Sequence, residues 1–177
     1  MRERFMKSYR PFNLPGDDTG ESLREIFLTF DLKDFQDEIT FWLDLALSNN
    51  QSVYQDGNDR EDVIDFCREL IKLVGAFNYL SLTNNRTGTK TVVRSKVKKK
   101  CRTSSPAVSG VDEQKTASAT ILNFRDSFSP SYVELEICDL LDAVITYEGV
   151  KTVNRENLIL FYQCVKHLLA RAYTFQK

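Results

Sequence analysis

NRENLILFYQCVKHLLARAYTF, residues 154–175, decides how this chain folds. Leu158, Phe161, Tyr162, Val165, Leu168, Leu169 and Ala172 recur at i, i+3, i+4 and i+7, the spacing that lines one face of an α-helix. Ile159, Leu160, Cys164, Tyr173 and Phe175 lie off that stripe and are also apolar or amphipathic. A helix greasy on more than one face is expected to be covered on more than one face. The spacing therefore predicts a central helix at the end of the sequence, with earlier helices leaning on it.

Working outward, Ser129-Pro130 is a helix start, with a capping hydroxyl and proline at its favoured first position. Val133, Ile137, Leu140, Leu141 and Val144 give that helix its stripe, and Gly149 sits where a helix stop is expected. The few residues from Val150 to Val153 imply an antiparallel pair with the last helix. Toward the N-terminal side, Asp18-Thr19-Gly20-Glu21 opens a helix carrying Leu23, Ile26, Phe27 and Phe30. Asp31 and Asp34 read as a fresh cap, so a break near Phe30–Leu32 is expected. The second helix then runs to about Leu47, with Phe35, Ile39, Trp42 and Ala46 on one face, Leu43 beside it, and Trp42 expected to meet the last helix. A third helix opens at Asn58 and reaches roughly Tyr79, burying Val63, Cys67, Leu70, Ile71, Val74 and Phe77. Gly75 weakens it and is expected to mark a close helix crossing. Residues 1–17 read as a basic, Pro-containing arm, mobile or draped, whose aromatics Phe5, Tyr9 and Phe12 are expected to pin it on the body.

Residues 81–121 change character. Ser, Thr, Asn, Gly and Lys dominate, too polar to bury much surface. A short β-hairpin around Asn84-Asn85-Arg86-Thr87-Gly88 fits the turn residues there. Thr103–Thr120 reads as flexible loop, and Ile121, Leu122 and Phe124 return the chain to the core. The fold class is therefore all-α: one domain over residues 18–177, a four- to five-helix antiparallel bundle with a long basic insertion at about 83–121 between helices three and four.

The net charge of −1 hides a strong asymmetry. Between Leu70 and Val111 there is no Asp or Glu, and nine basic residues: Lys72, Arg86, Lys90, Arg94, Lys96, Lys98, Lys99, Lys100 and Arg102. Setting those nine aside, 15 basic and all 25 acidic residues remain, a balance of −10. Like charges so closely spaced resist packing and attract polyanions through counterion release. Arg94, Lys96, Lys98, Lys99, Lys100 and Arg102 are thus the expected contacts to nucleic acid phosphates or another polyanion, with Arg94 and Arg102 as phosphate forks. The segment lacks the interleaved aromatics that stack on single-stranded bases.

The remaining chemistry is sparse. A chain of 177 residues with 42% hydrophobic and 28% charged composition suits one globular domain. No apolar run approaches the roughly 20 residues of a membrane span. No apolar core follows the first charged residues, so no secretory signal is expected. Cys67, Cys101, Cys138 and Cys164 are scattered and expected to be reduced, without a metal site. The Asp56-Gly57-Asn58 loop fails the EF-hand spacing, because Arg60 and Glu61 fall where a ligand and a glycine belong. Any His-based catalysis would rest on His167 alone, and no phosphate-cradling glycine loop or nucleophile elbow occurs. The acidic series Glu136, Asp139, Asp142 and Asp62, Asp65, Glu69 read as the wet faces of two helices. Surplus aromatics Phe41, Tyr54 and Tyr173 are candidates for a partner-binding patch.

The sequence thus points to a cytoplasmic (nuclear, in a eukaryotic host), non-enzymatic binding protein without cofactors, whose basic loop engages nucleic acid phosphates. The alternative is a helical protein–protein interaction module (adaptor, inhibitor or assembly subunit) in which the basic loop is incidental.

Overall fold

A computed structural model describes residues 19–87 and 110–176. Among these residues there are six helices and no strand: α1 (Thr19–Thr29), α2 (Leu32–Ser48), α3 (Gly57–Thr87), α4 (Gly110–Ser127), α5 (Pro130–Ile145) and α6 (Arg155–Thr174). The all-helical class stands, with one helix more than the upper end of the expected range. None of the helices is long and apolar enough to cross a membrane.

The helix starts follow the caps written in the sequence. The Asp31 carboxylate accepts from the Asp34 amide at 2.8 Å and opens α2. The Ser129 hydroxyl accepts from the Tyr132 amide at 3.2 Å and opens α5, with Pro130 first in the helix. Two other boundaries differ. α3 begins at Gly57 rather than Asn58, and just before it the Asp56 carboxylate accepts from the Asn58 amide at 3.0 Å. α5 ends at Ile145, before Gly149, and the Thr146 amide and hydroxyl both donate to the Asp142 carbonyl.

The largest departure lies on either side of the basic run. α3 continues through Asn84–Thr87, so the expected hairpin does not form there. Residues 110–120, expected as flexible loop, are the first turns of α4. The hydroxyls are accommodated within the helices: Ser81 donates to the Asn78 carbonyl, Thr83 to those of Tyr79 and Leu80, Thr116 to that of Asp112 and Thr120 to that of Thr116. Such back-bonding occupies the hydroxyls at a small cost to the helix, which packing offsets. Ala117, Ile121 and Phe124 then give α4 a narrow buried stripe.

α3, rather than α6, is the hub. It packs against α1, α2 and α4, whereas α6 meets α4 and α5 less extensively. Phe66, Cys67, Leu70, Leu73, Val74, Ala76, Phe77 and Leu80 are all buried along it. The predicted stripe of α6 is buried as read, except that Tyr162 is half-buried. Its other apolar residues are covered unevenly: Cys164 is buried and Tyr173 and Phe175 half-buried, but Ile159 is 60% and Leu160 is 42% exposed. Two aromatic knots tie the elements together. Phe161 of α6 meets Phe30, Phe35 and Trp42 with centroids at 5.5, 4.8 and 5.2 Å. Phe66 of α3 meets Phe124, Phe128 and Tyr132 at 6.2, 5.5 and 6.1 Å.

These pairings fix the course of the α3–α4 hairpin. The early α3 residue Phe66 packs against the late α4 residue Phe124, while Ala76 and Tyr79 share a groove with Glu113, Ala117 and Thr120. The two helices are therefore antiparallel, and the ends joined by residues 88–109 lie at the same end of the bundle.

A Cβ built on Gly75 would meet nothing within 4 Å, so no close crossing requires that glycine. Alanine recovers roughly 1 kcal/mol of helix propensity at such a position. Gly75→Ala is expected to raise the melting temperature by about 2–4 °C, read by thermal circular dichroism. A fall would mean that a neighbour does approach the backbone there.

Candidate functional site

The six expected phosphate contacts, Arg94, Lys96, Lys98, Lys99, Lys100 and Arg102, lie outside the described residues, and Cys101 lies there too. The structure places the flanks of that segment: Thr87 closes α3 and Gly110 opens α4. Asp112 and Glu113 stand in the first turn of α4, where the helix dipole favours negative charge. In the body, several cations face acids. Lys33 bonds Asp37, Arg68 bonds Asp65, Lys72 bonds Glu69, and Lys151 of the α5–α6 link bonds Asp44 of α2. These pairs are largely exposed and contribute little each.

A second site was not expected. The α2–α3 connection, read as a simple turn, is a buried polar knot. The Asn49 amide donates to the Ala143 carbonyl at 2.8 Å and to the Thr146 hydroxyl at 2.9 Å, closing the end of α5. The Ser52 hydroxyl donates to the Ala46 carbonyl, and the Gln55 amide to the carbonyls of Asn49 and Ser52. This knot sets Tyr54 facing inward, and Tyr54 is buried rather than part of an exposed aromatic patch. Tyr173 is likewise engaged, donating to the Phe128 carbonyl at 2.8 Å.

The Tyr54 hydroxyl donates to Glu136 Oε1 at 2.8 Å. Glu136 is only 7% exposed, so it is not on a wet face. It occupies a core-facing position of α5, three residues after Val133 and next to Ile137. Asp59 and Asp62 from the start of α3, with Tyr132, Leu135 and Asp139 from α5, complete a cleft of about 290 Å³. The acids of the two helices thus converge on one place.

Burial pushes the Glu136 carboxyl above the usual carboxylate range. The hydrogen bond from Tyr54 pulls it back down, Asp139 pushes it up, Tyr132 pulls it down, and Asp62 adds a further push upward. The same negative neighbourhood, on top of burial, raises the hydroxyls of Tyr54 and Tyr132 and lifts the Cys67 thiol to about 12. Among the described residues, no three His, Cys, Asp or Glu side chains are placed to hold a metal ion. Cys67, Cys138 and Cys164 are free thiols, the first and last buried. His167 is half-buried on α6.

No protein-family model matches this chain, and neither a curated protein nor a solved structure matches it.

A carboxyl raised in the folded state binds its proton more tightly there than in the unfolded chain. It therefore favours the fold at low pH, and that contribution fades as pH rises through the raised value. Glu136→Gln keeps an acceptor for Tyr54 and carries no charge. It is expected to melt higher than the parent at pH 8, with the gain vanishing below about pH 3, where the parent carboxyl is protonated in both states. Melting curves across that range check the sign; a variant less stable at pH 8 would contradict it.

Proposed function

We propose that this chain is a non-enzymatic helical binding protein whose basic segment engages nucleic acid phosphates or another polyanion. The observation that carries the reading is the separation of charge. Nine cations and no acid fall between Leu70 and Val111, and the rest of the chain carries −10. Such a segment gains free energy by releasing counterions from a polyanion, while the acidic remainder repels that polyanion and confines contact to one place. The α3–α4 hairpin supports the reading, because both ends of residues 88–109 leave one end of the bundle. Arg94, Lys96, Lys98, Lys99, Lys100 and Arg102 are the proposed contacts, with the lysines acting as point charges and the two arginines as forks. We read no cofactor into the function, and place the protein in the cytoplasm, or the nucleus of a eukaryotic host.

The alternative, a protein-interaction module, has one observation in its favour. Ile145 and Ile159 stay exposed beside Tyr147, Val153 and Leu158 around a groove of about 430 Å³. A partner that survives nuclease treatment in a pull-down would favour it.

The proposal predicts that affinity for a short DNA duplex falls with salt, with a log–log slope of about −5 for six phosphate contacts, and shows little sequence preference. Replacing those six residues by Gln is expected to flatten the slope and abolish binding at moderate salt, measured by fluorescence anisotropy. Unchanged affinity in that variant would refute the proposal.

A further inference from the structure

Between α1, α2 and α6 lies a groove of about 510 Å³ that combines two chemistries. Phe30, Phe41 and Leu160 supply apolar surface, and Leu160 is 42% exposed. Asp34, Asp37 and Glu38 supply an acidic rim on α2. A groove of this kind fits an extended peptide with alternating aromatic and basic side chains. The chain carries such a peptide a short distance before α1. Residues 1–12 hold Phe5, Tyr9 and Phe12 among Arg2, Arg4, Lys7 and Arg10, with Glu3 the one acid.

We infer that the stretch preceding α1 folds back along that helix and seats its aromatic residues in this groove, with its cations on the acidic rim. The reach is sufficient. The 11 residues of α1 span roughly 16 Å at ~1.5 Å per residue. The groove is lined by Thr29 and Phe30 at the far end of that helix. The seven residues from Phe12 to Thr19, extended at ~3.3 Å each, cover roughly 23 Å. Phe12 can therefore arrive at the near edge, and Tyr9 and Phe5 farther along. Tethering also makes a weak contact sufficient. With a local concentration on the order of 1 mM, a contact of about 0.1 mM would fill the groove in roughly nine molecules of ten. The occupant proposed is this chain's own arm, not the arm of a second copy.

Hydrogen exchange of the full chain, read by mass spectrometry on peptides covering residues 28–42 and 157–162, tests the inference. Serine at Phe5, Tyr9 and Phe12 together is expected to speed exchange in those peptides by about tenfold and to leave α3 unchanged. Asp34→Lys with Asp37→Lys is expected to do the same, and combining both sets should add nothing further. Adding Lys7→Glu and Arg10→Glu to the groove variant is expected to restore protection, which a purely local weakening of α2 would not allow. Exchange that ignores the arm substitutions, or a groove variant the arm charges do not rescue, would overturn the inference. Protection that fades on tenfold dilution would also overturn it, by assigning the groove to another copy's arm.

Discussion

Phe161 is the side chain through which the two ends of the described chain hold each other. Its ring meets Phe30 and Trp42 edge-on and Phe35 at a tilt, so α6, α2 and the α1–α2 link share one buried cluster. Aromatic pairs in these geometries contribute about 0.5–1.5 kcal/mol each beyond the area they bury. The second cluster, around Phe66, does the same for α3, α4 and α5. A bundle closed by two such clusters does not need the polar residues between its helices to provide cohesion. They are left free to set charge, cap helix ends and carry function.

Charge is the property they set most strongly. Apart from the basic run, the chain is acidic, and one carboxylate has even been taken into the core. Glu136 is kept there by two tyrosine hydroxyls and resisted by Asp62 and Asp139. Burying a carboxylate among other carboxylates opposes folding, so this cleft spends stability gained in the aromatic clusters. The acidic groove at the α1–α2 junction has the same sign of charge but lies open to solvent and to basic side chains. In both places the acidic helix faces create local fields.

Much of the bundle could be read from residue spacing. The stripes of α2, α3, α5 and α6, the caps at Asp31 and Ser129, and the meeting of Trp42 with the last helix all follow from the 3.6-residue period and from capping chemistry. Three features could not be read so directly. α4 looked like a loop because Thr116, Ser118 and Thr120 are poor apolar signals. The Thr116 and Thr120 hydroxyls turn back on the helix, and Ala117, Ile121 and Phe124 keep the period in small print. Glu136 reads as wet-faced because Asp139 and Asp142 follow it at i+3 and i+6, although Val133 three residues earlier marks its side as the core side. The centrality of α6 was inferred from its breadth of apolar residues. Breadth does not ensure cover, and Ile159 and Leu160 remain at the surface. The phosphate contacts were read from charge alone, and the fold contributes only where their segment departs and returns.

The central claim is that anionic recognition belongs to the segment between α3 and α4 and not to the helical body. Amide chemical shifts of the ¹⁵N-labelled protein, followed while a short DNA duplex is added at low salt, test this most directly. The account predicts that shifts concentrate between Lys90 and Arg102 and in the adjoining turns of α3 and α4, with the aromatic clusters unmoved. Shifts that leave this segment untouched, or that centre on the helical faces of α2 or α6, would contradict it.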